Sequence, residues 1–191
     1  MEIQSLIYLL LFLFVITPLY VFLRIMYIRK KNKNIYFFRE IGLFLFIASI
    51  FGILYFTILP NFLMVNEQLY ITFKKEQHHN NIVPFKTIKN LISLLKNKRF
   101  FNYAFTNLFG NIFLFLPFSF LFYCLFNQFK GYQILFISLI FSIIIELLQI
   151  PMQRISDIDD VILNSLGSFL GVMIGFIILK FFQIQKRKSN T

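Results

Sequence analysis

The chain has no tryptophan, one cysteine, and only eight acidic residues against nineteen lysines and arginines. A single cysteine excludes an intrachain disulfide. Cys124 lies inside an apolar run and reads as a small buried hydrophobe. A Gly-rich phosphate loop, a Ser-His-Asp elbow, a paired-cysteine motif and a heptad repeat are all absent, which removes the common nucleotide-binding, hydrolase, zinc and coiled-coil classes. His78 and His79 sit side by side on a polar stretch with no third ligand at a metal spacing, so they read as solvated. Internal repeats are not evident, which argues against a transporter built for alternating access, and nothing resembles a soluble second domain.

What fills the chain instead is apolar. Hydrophobic residues make up 58% of it, and the mean hydropathy of +0.73 lies far above that of an ordinary soluble domain. Phenylalanine is abundant together with Ile, Asn and Lys, a bias that looks like AT-rich coding. We read it as interchange among equivalent apolar residues, not as an aromatic binding surface. A membrane-crossing helix needs roughly 20 mostly apolar residues. Five stretches qualify, at about 3–28, 41–65, 107–126, 133–150 and 161–182. The first starts with Glu2 in place of a basic region and lacks a small-x-small cleavage site, so it reads as a span and not as a signal peptide.

The net charge of +11 does not point to nucleic acid, because most of the basic residues flank apolar segments, where anionic lipid is the fitting contact. Arg29, Lys30, Lys31, Lys33 and Arg39 crowd the 29–40 linker, and Lys180, Lys186, Arg187 and Lys188 crowd the tail. Placing both inside puts the N-terminus and the loops 66–106 and 151–160 outside, and the C-terminus inside. Loop 66–106 resists this by carrying seven Lys or Arg of its own. The fold class expected is an all-α integral membrane protein of about five transmembrane helices plus a short amphipathic surface helix. Its divisions are a two-helix segment 1–65, an extracytoplasmic loop 66–106, a three-helix core 107–182 and a basic tail 183–191.

The amphipathic helix is expected over about Phe85–Phe101. Ile88, Leu91 and Leu95 share one face there, while Lys86, Lys89, Asn90, Lys96 and Lys98 are polar. It suits a helix on the outer membrane surface, or equally one packed over the mouth of the bundle. In the last three spans the polar residues also recur at helical spacing. Ser138, Ser142, Glu146 and Gln149 share one face, Asn107, Asn111 and Ser119 a second, and Asp160, Asn164, Gly167 and Gly171 a third, which Gly175 extends. Pro117 marks a kink in the third span. The glycine stripe reads as close helix packing.

Half of all the acidic residues fall between Glu146 and Asp160, at a junction of two apolar segments. A charge at the centre of a membrane helix costs about 2.5–3.5 kcal/mol, so carboxylates here need a reason. Ser156-x-x-Asp159 resembles a capping box, and capping accounts for one or two of Asp157, Asp159 and Asp160 but not for Glu146 one helix away. Glu146, Asp157 and Asp160 offer oxygen ligands for a divalent metal, although no spacing is diagnostic of one and no cofactor is otherwise indicated. An Arg154 ion pair with one of these acids accounts for them equally well.

Asn81-x-x-Pro84-Phe85, Asn107-x-x-Gly110-Asn111-x-x-x-Phe115-x-Pro117, Glu146-x-x-Gln149 and Arg154-x-x-Asp157-x-x-Asp160-x-x-x-Asn164-x-x-Gly167 follow one another in this order. The series resembles the VanZ-like family over roughly residues 78–175, with Ser119 in place of the family's usual Gly. The resemblance implies a multi-pass protein of the bacterial cytoplasmic membrane. The family's namesake is associated with resistance to teicoplanin-type glycopeptide antibiotics. By motif position it singles out Asn111, Glu146, Gln149, Arg154, Asp157, Asp160 and Asn164, and leaves Asp159 outside the pattern. Two function classes follow. One is an envelope protein that binds a glycopeptide or lipid-linked precursor at an outward-facing polar site; the other is an intramembrane, metal-dependent enzyme acting on such a precursor.

Overall fold

The computed structural model describes residues 36–58, 61–65, 68–72, 81–151 and 156–189, with isolated positions 17, 20, 24, 26 and 27 before them. The first expected span, the basic residues at 29–33, the two histidines and Arg154 therefore lie outside the described residues, those isolated positions excepted. Five helices and one hairpin are described: α1 (Phe37–Thr57), β1 (Asn61–Val65), β2 (Gln68–Thr72), α2 (Lys86–Leu94), α3 (Phe101–Leu125), α4 (Gly131–Gln149) and α5 (Ile158–Ser189). Four of them, α1, α3, α4 and α5 up to Gln185, are long and apolar enough to cross a membrane.

The second span was expected to run to residue 65, and here the sequence reading is corrected. The helix stops at Thr57, and Asn61–Val65 pairs antiparallel with Gln68–Thr72, Met64 opposite Leu69. Pro60 lies between these elements in the sequence, and a residue before proline is disfavoured from helical geometry. An apolar strand continued the hydropathy of the helix, so hydropathy alone missed the change. All-α holds for the long apolar elements but not for this hairpin. The third span also starts earlier than expected, at Phe101, and runs unbroken through Pro117.

Aromatic and aliphatic packing holds α1, α3 and α4 together. Ile53, Phe115, Phe118, Phe122, Ile134 and Ile145 form one buried cluster, and Phe46 of α1 stacks on Phe118 with ring centroids 5.4 Å apart. Helix α5 approaches α3 much more closely. A Cβ on Gly167 would overlap the carbonyl oxygen of Ile112, and one on Gly171 that of Leu116. The small-residue stripe thus lets two backbones touch, as van der Waals association in lipid requires.

Helix α2 is shorter than expected and lies over the bundle. Its Leu91 is buried with Ala104, Leu108 and Ile112 of α3 and Leu163 of α5, and Ile88, Leu94 and Leu95 pack around them. Before α1, Arg24 makes a bidentate contact to Glu40 in the first turn of that helix, with Nε 2.6 Å and Nη2 2.9 Å from the two carboxylate oxygens. A planar guanidinium matches a carboxylate in this way; a lysine would not.

Candidate functional site

The polar stripes meet where α4 ends and α5 begins, beneath the segment that leads into α2. Asn81 docks there through its backbone. Its N–H donates to the Ser156 carbonyl at 3.0 Å, and its own carbonyl accepts from the Ile158 N–H at 3.0 Å, a one-residue parallel bridge. The loop before α2 and the turn before α5 therefore share one end of the bundle.

Asp157 and Asp159 hold this docking in place. Asp157 is the cap of α5: its Oδ1 accepts from the Asp159 N–H at 2.9 Å. The same oxygen accepts from Asn81 Nδ2 at 2.9 Å, and Oδ2 accepts from the Thr87 hydroxyl. Asp159 does not close the expected capping box on its own helix. Fully buried, it turns both oxygens to the start of α2, accepting from the Phe85 N–H and, at 3.0 Å, from the Ile88 N–H. Phe85 has φ 64°, the only positive φ outside glycine among the described residues. Left-handed geometry costs a bulky residue about 1–2 kcal/mol, and the Asp159 contact helps to hold it.

Glu146 and Asp160 are engaged differently. Glu146 is buried and its Oε2 accepts from the Asp157 N–H at 2.7 Å. Asp160, partly exposed, accepts from Asn111 Nδ2 at 2.6 Å. One turn further along α5, Asn164 Nδ2 donates to the Ser142 hydroxyl at 2.8 Å. Deeper still, the hydroxyls of Ser119 and Ser138 lie 3.1 Å apart. Asn164 Oδ1 and Ser168 Oγ are buried and have no hydrogen-bond partner among the described residues. An unpaired acceptor in such a place costs roughly 1–3 kcal/mol.

Of the residues singled out from the sequence, Asn111, Glu146, Asp157, Asp160 and Asn164 come together. Gln149 turns aside and donates to the Thr57 carbonyl at 3.0 Å, satisfying an end group of α1. Asn107, on the same stripe as Asn111, is exposed and donates to the Tyr103 carbonyl of its own helix. Sequence reasoning left Asp159 at the margin and missed Thr87 and Ser142 as partners. The Asn81-x-x-Pro84-Phe85 signal was visible, but nothing local links it to acids some seventy-five residues away, and only the folded loop does so. Among the described residues no three His, Cys, Asp or Glu side chains are grouped to hold a metal ion.

A family model described as VanZ/LLP1 matches residues 45–180. The chain belongs to this family. The VanZ-like region reaches beyond the motifs recognised in the sequence and takes in most of α1, the hairpin and nearly all of the apolar part of α5. No curated protein and no solved structure matches the chain. In this VanZ-like protein Asp157 and Asp159 clasp a loop, while Glu146 and Asp160 accept from the Asp157 N–H and from Asn111.

Proposed function

We propose that this VanZ-like membrane protein binds an amphiphilic antibiotic of the teicoplanin glycopeptide type at the outer leaflet and thereby contributes to resistance, without catalysing a reaction. The observation that carries this reading is the division of labour among the acids. Asp157 and Asp159 spend both oxygens on the clasp, whereas partly exposed Asp160 stands beside Asn111, above the unpartnered Asn164 Oδ1 and Ser168 Oγ. Carboxylate and amide groups at this boundary suit the amines and hydroxyls of a glycopeptide, and a lipid-linked cell-wall precursor presents similar polar chemistry at the same depth. The basic 29–40 linker and tail favour an outside N-terminus and an inside C-terminus in the bacterial cytoplasmic membrane, which sets the clasped end outward.

The test separates charge from scaffold. In Asp160→Asn and Glu146→Gln the amide oxygen still accepts the bond from Asn111 or from the Asp157 N–H, so membrane levels should match the parent. In a deletion strain, complementation by either variant should restore no more than a small part of the resistance that the parent restores. Full resistance with both variants at normal level removes the ligand role from these acids.

A further inference from the structure

We propose that the turn Lys96–Arg99 and the aromatic face of α3 below it form a binding site for an anionic phospholipid. The proposal is independent of the carboxylate cluster and of the leaflet in which that cluster opens. Between Glu76 and Glu146 the sequence has no acidic residue, yet Lys86, Lys89, Lys96, Lys98 and Arg99 all fall in this interval and all are exposed. Among the described residues the acids nearest to α2, Asp157 and Asp159, are buried and turned to the loop backbone and to Asn81 and Thr87. Docking of Leu91, Leu94 and Leu95 on the bundle thus fixes a cationic face at the mouth of α3 that no ion pair among the described residues offsets.

Directly below the turn, Phe101, Phe105, Phe109 and Phe113 recur every four residues. Their ring centroids are 5.8, 4.6 and 6.2 Å apart in succession, with interplanar angles of 22°, 32° and 29°. Phe101, Phe105 and Phe113 are exposed, while Ala104, Leu108 and Ile112 keep the adjoining face on the bundle. Twelve residues of helix rise about 18 Å. That is close to the depth of one leaflet, half of a hydrocarbon core of about 30 Å. The rings therefore make a nearly continuous surface along which one acyl chain can lie while its phosphate meets the cations. The Arg99 guanidinium, 5.8 Å from the Phe100 ring centroid, sits at the junction of the two parts.

Because the chain lacks tryptophan, Phe105→Trp supplies a single reporter in the full-length protein. It would be reconstituted in vesicles that contain either brominated phosphatidylglycerol or brominated phosphatidylcholine at equal mole fraction. The expected result is a preference for the anionic lipid of roughly fivefold or more, from several cations each worth about that factor near a surface. Lys96→Gln, Lys98→Gln and Arg99→Gln together should bring the ratio near unity, whereas the charge-keeping set Lys96→Arg, Lys98→Arg and Arg99→Lys should retain it. Neutralising Lys186, Arg187 and Lys188 in the tail should change nothing. Phe101→Leu with Phe109→Leu should weaken the preference with the cations intact. No preference in the reporter protein, or one that survives loss of the three cations, overturns the proposal. Erasure by an excess of inorganic phosphate would make the turn a soluble-anion site and overturn it equally. An unchanged preference in the double leucine variant would overturn the part assigned to the rings.

Discussion

Gly167→Leu is expected to leave almost no folded protein in the membrane. A side chain at this position runs into the Ile112 carbonyl, so the obstacle is backbone and not the end of a side chain that can turn away. Overpacking a core costs typically about 1–3 kcal/mol where neighbours can adjust. Here α3 and α5 would have to separate, taking with them the Asn111–Asp160 hydrogen bond. Against a total stability of about 5–15 kcal/mol for an ordinary domain, that is a large fraction. Gly167→Ala should be milder and still harmful, because the overlap arises at Cβ. Added bulk at Leu139, which is exposed on α4, should be tolerated. Membrane level by quantitative blot and the midpoint of thermal aggregation in detergent measure both. Parental values for Gly167→Leu would mean that the two helices do not touch as described.

Asp159→Ala should free α2 from the bundle, and its effect should exceed that of Asp160→Asn on every measure of structure. The change leaves two backbone N–H groups, of Phe85 and Ile88, without their acceptor. Each such loss costs roughly 1–3 kcal/mol when the group is cut off from water. It also removes a contact that holds Phe85 in its left-handed conformation, at φ 64°. Asp159→Asn keeps one oxygen acceptor of two and should fall between Ala and the parent. Hydrogen exchange over residues 85–94 reads the result directly: protection lost at the Ile88 amide in Asp159→Ala, and partly lost in Asp159→Asn. Unchanged protection in both variants would show that the acid does not hold the loop. The leucines of α2 contribute to docking as well, so the helix should stay near the bundle while its first turn opens.

The long apolar helices were legible because membrane insertion demands length and hydropathy, and both are local properties of sequence. Helical spacing likewise brought out Asn111, Glu146, Asp160 and Asn164, since three stripes of period 3.6 converge only in a bundle. What stayed hidden was pairing across the chain. Asp159 looked like a cap for its own helix because Ser156 stands three residues before it, yet it serves the first turn of another. Asp157 does cap its own helix, and no local signal distinguishes the two acids. Gln149 matched the stripe of Glu146 but donates to the Thr57 carbonyl at the end of α1, a partner whose position depends on where α1 stops. That end was misplaced because strand Asn61–Val65 is as apolar as the helix before it. Hydropathy does not tell a span from a strand at such a boundary.

Because the proposed function stands on an outward-facing clasp, the side of the membrane on which α2 lies decides most. In a Cys124→Ser background, a cysteine at exposed Asn90 and one at Ser189 are each challenged with an impermeant thiol reagent on intact cells. The account predicts reaction at residue 90 without opening the membrane, and at residue 189 only after it is opened. Reaction at 189 with none at 90 would place the carboxylates, Asn111 and Asn164 at the cytoplasmic end and contradict binding at the outer leaflet.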